Sequence, residues 1–321
     1  MTLLTALIYL LVGFVLLVWS ADRLVAGASA LARNLGISPL VVGVTIVGFG
    51  TSAPEMVVSA LASLEGNPSL AVGNALGSNI ANIGLILGLT GLVYPMHIER
   101  STFSRELPLL AAVTALTAIL MVDGTLSRID GIVLAGGLGV FLAAMILRGK
   151  RAETIDPSTE ALISEISHGM SRHRAIIWTV VGLIVLPASA QILVEGAIGM
   201  AATLGVSEAV IGLTIVALGT SLPELAAAIA SAIRKEDDLC IGNILGSNLF
   251  NLLGVLGLAA LIHPMTIESI LIVRDLPVMV GTFVMLAMMA LFAGRIGRAS
   301  AALLLTTYIV YQITVFYQAM A

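Results

Sequence analysis

The chain has 321 residues and a formal net charge of −4, and it is 59% apolar but only 11% charged, with a mean hydropathy of +1.08. Soluble domains carry roughly 45–50% apolar and about 25% charged residues, so this composition excludes a water-soluble globule and predicts an all-α membrane protein. A single cysteine, Cys240, excludes a disulfide framework or a cysteine-rich metal centre, and the scattered basic residues form no nucleic-acid-binding patch.

Apolar blocks of about 20 residues, enough to cross a hydrocarbon core about 30 Å thick, follow one another along the whole chain. The first, from Leu3 to Ser20, has no basic n-region and runs into further apolar sequence, so it reads as a retained span. In chain order the predicted spans are 3–31, 39–64, 69–92, 104–122 and 129–147, then 174–200, 209–233, 239–261, 274–293 and 299–318. A polar stretch carrying Glu153, Asp156, Pro157, Glu160 and Glu165 separates the two sets, dividing the chain into halves 1–148 and 174–321 with a joining loop 149–173.

The halves are copies of one another. GTSAPE at 50–55 returns as GTSLPE at 219–224, and GNALGSNIAN at 73–82 returns as GNILGSNLFN at 242–251, both at an offset of 169 residues. The same offset aligns Ser20 with Ser189, Gly27 with Gly196, Gly36 with Gly205, Pro95 with Pro264, Glu99 with Glu268, Arg105 with Arg274 and Pro108 with Pro277. Five spans per half is an odd number, so the second copy must enter the membrane from the opposite face, which predicts ten transmembrane helices in two inverted five-helix repeats. Arg33, Arg100, Arg105, Arg148, Lys150, Arg151, Arg172, Arg174, Arg234, Lys235, Arg295 and Arg298 fall inside if both termini are outside and the joining loop is cytoplasmic. Arg23, Arg128 and Arg274 fall elsewhere.

Glu55 and Glu224 sit within apolar spans, where an ionisable group costs about 2.5–3.5 kcal/mol on insertion scales, and an intramembrane carboxylate is read first as a functional group. Pro54 and Pro223 each remove a helical N–H, predicting a local helix break that frees carbonyls around Gly48 to Thr51 and Ala217 to Thr220. Thr51 and Thr220 stand one helical turn before the two glutamates. In the next span Asn74, Ser78 and Asn82 recur at intervals of four and form one polar stripe, repeated by Asn243, Ser247 and Asn251. Gly73 and Gly77, like Gly242 and Gly246, give a small-residue surface for close helix approach. Carboxylates, hydroxyls, amides and carbonyls make an all-oxygen set, suited to Ca²⁺ and Na⁺ and not to Zn²⁺ or Cu⁺.

Taken singly, a proline is commonly a kink and a glycine-rich face a packing surface; duplication together with a buried carboxylate tips the reading to function. Asn79 and Asn248 lie off the stripe and are expected in interhelical hydrogen bonds. Arg105/Glu106 and Arg274/Asp275 are expected to anchor span starts at the interface, as is Glu195 near a span end. His97, His168, His173 and His263 fall in loops.

GTSxPE followed by GNxxGSNxxN, present twice, resembles the α-repeats of the cation/Ca²⁺ exchanger superfamily over residues 20–108 and 189–277. The short joining loop resembles the bacterial branch with ten helices, without the large cytosolic domain of animal exchangers. The resemblance implies a plasma-membrane antiporter exchanging Ca²⁺ for Na⁺ by alternating access, with no cofactor and no obligate protein partner. It implies Ca²⁺ held by Glu55 and Glu224 with the carbonyls of Thr51 and Thr220. For Na⁺ it implies the carbonyls of Gly48 and Ala217, the hydroxyls of Thr51, Ser52, Thr220, Ser221, Ser78 and Ser247, and Asn82 and Asn251 at the middle. Many members carry Asp where this chain has Asn251, which disfavours potassium dependence. Two carboxylates balance one Ca²⁺ or two Na⁺, and close carboxylates in a low dielectric make protons competitors. H⁺/Ca²⁺ antiport is therefore the alternative reading, with a passive cation channel behind it. An intramembrane hydrolase is excluded, because no His lies within a span and the lone cysteine has no partner base.

Overall fold

The structure, a computed structural model, describes residues 2–98, 105–151, 170–204 and 217–320. Glu99, Arg100, His168, Gly205, residues 209–216 of the expected seventh span and the acidic stretch from Glu153 to Glu165 lie outside the described residues. The helices in chain order are α1 (Leu3–Asn34), α2 (Pro39–Leu64), α3 (Ser69–Val93), α4 (Glu106–Met121), α5 (Arg128–Arg151), α6 (Arg172–Thr203), α7 (Leu222–Ile233), α8 (Asp237–Ile262), α9 (Leu271–Ala293) and α10 (Arg298–Met320). Among the described residues eight of these are long and apolar enough to cross a membrane; α4 and α7 are shorter apolar helices at the places of the fourth and seventh predicted spans. The protein is an all-helical, multi-pass membrane protein in its spans.

Local chemistry sets the helix ends. Ser38 and Asn67 accept hydrogen bonds from the N–H groups of Leu40 and Leu70, with Pro39 and Pro68 at the first helical position, where a missing N–H costs nothing. The α2–α3 turn uses Gly66 at φ 72°, and the α7–α8 turn places Lys235 at φ 59°, a left-handed conformation that costs a non-glycine residue roughly 1–2 kcal/mol.

Two ribbons, absent from the expectation of helices alone, tie the halves together: Met96–His97 (β1) pairs with Arg295–Ile296 (β4), and Thr125–Leu126 (β2) with Met265–Thr266 (β3). Polar contacts gather helix ends at one face, which we call the Arg33 face. There Arg33 pairs with Glu236 at 3.1 Å and the His97 N–H donates to Asp237 at 3.0 Å, while Arg234 reaches Asp22 within α1 at 2.6 Å. At the opposite face Ser69, at the start of α3, donates to Glu268, just ahead of α9.

Helices α1 and α6 pack backbone to backbone because glycines leave room. Gly13 lies against Leu193 and Gly182 against Leu24; Gly27 lies against Thr179 and Gly196 against Leu10. Each of these two couples is related by the 169-residue offset, and on the same line the hydroxyls of Ser20 and Ser189 stand 3.4 Å apart. Arg23 lies with its guanidinium 5.0 Å from the Trp178 ring centre, so a basic residue within α1 is held over an aromatic face of α6. The innermost helix is α8, buried from Leu239 to Gly257, with α3 beside it; these two carry the polar stripes.

Candidate functional site

Helix α2 delivers Gly48, Thr51, Ser52 and Glu55 to the interior, but not by the expected break at Pro54. The α-helix runs unbroken from Gly48 to Leu64 with Pro54 inside it, and the irregularity lies upstream, in a wide π turn at Gly43–Val47. The carbonyl that Pro54 leaves without its helical donor is that of Gly50; close by, the Thr51 hydroxyl lies 3.4 Å from the Gly48 carbonyl oxygen. In the second half the interruption falls at Thr220 and Ser221, between a turn at Ala217–Gly219 and α7. Pro223 sits in the first turn of α7, where a proline is compatible with the helix. A repeat-related pair of π turns, Asn82–Leu87 and Phe250–Val255, takes in the last residue of each polar stripe.

The two glutamates meet. Glu55 and Glu224 are 1% and 2% exposed. Ser52 donates from α2 to Glu224 Oε1 across the halves at 3.3 Å. The Thr51 hydroxyl lies 3.2 Å from Asn243 Oδ1 and 3.3 Å from Ser247 Oγ of α8. Asn74 of α3 donates to the Glu55 carbonyl at 3.2 Å and to Ser59 at 2.9 Å, holding the Glu55 turn from behind. Asn82 donates to Asn248 at 3.3 Å, so the off-stripe Asn248 bonds across the halves, whereas Asn79 donates to the carbonyl of Ala75 in its own helix. Among the described residues the Oε2 atoms of Glu55 and Glu224 and the Oδ1 of Asn251 are buried without a hydrogen-bond partner. Buried acceptors of that kind are costly unless something fills the space between them, and a hard cation takes such oxygens.

The remaining predicted residues are split by side. Thr51, Ser52 and Ser247 lie sealed in the protein, while their counterparts Thr220, Ser221 and Ser78 line a cavity of about 540 Å³. The small-residue surfaces split the same way. Gly246 backs onto Val44 so closely that a Cβ would overlap the Val44 carbonyl, and one at Gly242 would lie 2.5 Å from the Leu40 carbonyl oxygen. Among the described residues a Cβ at their counterpart Gly77 would meet nothing within 4 Å, and one at Gly73 only a methyl of Leu271 at 3.9 Å. Ala217 begins the turn before Thr220.

Arg274 and Asp275, expected as interface anchors at the start of α9, line this cavity together with Tyr311 and Gln312 of α10. Arg274 and Asp275 stand at the end of a π turn, Leu271–Asp275. The signal in the sequence is the recurrence of the pair 169 residues after Arg105/Glu106, which interface anchoring does not require. Glu195 is surface-placed and accepts from Gln191 at 3.4 Å.

The sequence profile described as "Sodium/calcium exchanger protein" matches residues 5–147 and again 174–317. The chain belongs to the sodium/calcium exchanger family. The family is one of transporters, not enzymes, and its cargo is Ca²⁺ and Na⁺. Among similar proteins, "Putative antiporter CaxA" of Alkalimonas amylolytica is 46% identical over 98% of this chain and 99% of its own length. "Inner membrane protein YrbG" of Escherichia coli is 43% identical over 90% of this chain and 89% of its own. "Sodium/calcium exchanger MaX1" of Methanosarcina acetivorans is 29% identical over 96% and 97%. The solved sodium-calcium exchanger NCX_Mj, soaked with Na⁺ and Sr²⁺, superposes with a TM-score of 0.83 at 31% identity, covering 96% of this chain and 98% of that one.

Proposed function

We infer that this member of the family is a secondary antiporter that exchanges Ca²⁺ for Na⁺ across the bacterial or archaeal plasma membrane by alternating access. One observation carries the reading: glutamates at repeat-equivalent positions are both buried, Ser52 of one half donates to Glu224 of the other, and each glutamate keeps a buried oxygen without a hydrogen-bond partner among the described residues. Calcium takes about six to eight oxygens, and four helices supply that many here without a cysteine or histidine. Glu55 and Glu224 hold the divalent ion with the carbonyls of Thr51 and Thr220. Gly48, Ala217, Ser52, Ser221, Ser78 and Ser247 complete flanking Na⁺ sites, and Asn82 and Asn251 lie at the middle.

The chain is organised as two inverted five-span halves, 1–148 and 174–321, joined by 149–173, with both termini outside. Supporting this, the C-terminal ends of α1 and α3 share a face with the start of α8 and the strand that leads into α10. Relatives described as inner membrane protein and as sodium/calcium exchanger support the location and the cargo. Repeat-equivalent oxygens that are sealed on one side and line a cavity on the other are what an alternating-access protein caught open to one face presents. In the orientation proposed, that face is the outer one.

The CaxA relative, described only as an antiporter, keeps H⁺/Ca²⁺ exchange as the second reading, since two facing carboxylates accept protons as readily as metal ions. Ca²⁺ uptake by proteoliposomes containing the purified protein separates the two. An outward Na⁺ gradient is expected to drive accumulation and a pH gradient alone is not. Accumulation on a pH gradient without Na⁺ would replace the reading by proton exchange, and mere equilibration under either would indicate a channel.

A further inference from the structure

We propose that Arg274 and Asp275 form an electrostatic filter in the wall of the open cavity, setting the rate at which hard cations reach the central oxygens from that face. The inference rests on the transport reading above. The cavity has two polar walls. One is built from the candidate ligands Asn74, Ser78, Thr220 and Ser221, and the other carries Arg274, Asp275 and Tyr311. A cation in this cavity is therefore exposed to the pair and to the candidate ligands together.

The pair is built as a unit. Arg274 donates to both oxygens of Asp275, Nε to Oδ1 at 2.7 Å and Nη2 to Oδ2 at 2.9 Å, a two-pronged geometry that fixes the guanidinium plane. Nη1 is tethered to Gln318 at 2.7 Å, and the Tyr311 hydroxyl donates to Asp275 Oδ1 at 2.9 Å. Asp275 is 2% exposed, while the Arg274 side chain keeps 19% of its surface. Arginines that anchor a span reach toward headgroups; this one turns back onto its neighbour and faces the interior. The physical consequence is a wall of near-zero net charge. A bare carboxylate there would attract and retain divalent ions short of the centre, and a bare guanidinium would turn them away. Paired, the two let a cation pass without trapping it. The repeat places the same chemistry, Arg105 and Glu106, at the start of α4 for the opposite face.

The test measures charge in the cavity independently of transport. Val315 lines the cavity, and Val315→Cys puts a reactive thiol there; the native Cys240 is fully buried and stays silent. Rates of reaction with a cationic and an anionic methanethiosulfonate give a ratio that reports local potential. Asp275→Asn is expected to lower the cation-to-anion ratio on the order of tenfold and Arg274→Gln to raise it comparably, in line with charge focusing in clefts. The double variant R274Q/D275N is expected to return it to the starting value, and kcat/KM for Ca²⁺ from that face should follow the same order. Unchanged ratios in both single variants, a double variant that stays displaced, or an introduced thiol that neither reagent reaches would each overturn the filter. Normal ratio shifts in a protein that moves no Ca²⁺ would instead overturn the transport reading and leave the filter standing.

Discussion

At the scale of single residues, Glu55 and Glu224 are costly to bury, because each carboxylate loses its hydration in a medium where water cannot follow. That cost is tolerable only with compensating oxygen-bound cations or protons. Glu55→Gln and Glu224→Gln are each expected to abolish ⁴⁵Ca²⁺ uptake into proteoliposomes; wild-type flux in either variant would refute the site. Ser52 is a subtler case, since its hydroxyl crosses the halves to reach Glu224. A hydrogen bond to a charged group contributes roughly 1.5–3 kcal/mol, so Ser52→Ala should raise the KM for Ca²⁺ by about tenfold or more, read in the same uptake assay. The sequence supplied these residues through the duplicated motif alone. It did not supply their partners: Asn243 against Thr51 and Asn248 against Asn82 depend on how α8 is rotated against α2 and α3, which no periodicity within one helix specifies.

Elements behave less symmetrically than the sequence. Pro54 and Pro223 occupy equivalent positions, yet α2 passes straight through its proline while the second half is interrupted just before α7. The proline removes one donor in each; whether a helix then breaks depends on what stands nearby to satisfy the freed carbonyl, which is tertiary information. The glycine surfaces diverge likewise. Adding a methyl to a helical glycine ordinarily stabilises the helix by up to about 1 kcal/mol. Gly246→Ala must push against the Val44 backbone, and we expect it to destabilise the detergent-solubilised protein by about 1–3 kcal/mol as overpacking does, seen as a lower apparent Tm. Gly77→Ala meets no described residue within 4 Å and should leave the Tm unchanged or slightly raised. Equal losses in both would mean that the two surfaces are packed alike in solution and that the protein has no closed and open side.

Across the whole molecule, the two halves embrace through α1 against α6, through the β1–β4 and β2–β3 ribbons, and through the glutamates at the centre. The proposed orientation predicts that alkaline phosphatase fused after Ala321 is active in intact cells and that a cysteine placed within 149–173 resists impermeant labelling until the membrane is opened. The opposite pattern would invert the orientation and move the open cavity to the cytoplasm. Membrane class, duplication, the two acidic motifs and their oxygen chemistry were legible in the sequence alone, because lipid imposes helix length and apolarity on each segment locally and a repeat is visible at any distance. Which symmetry-related oxygens are buried and which line the cavity, and where Arg274 and Asp275 point, was decided only by tertiary packing: identical motifs in one chain cannot say which half is closed, since that is a property of how the halves lean on each other.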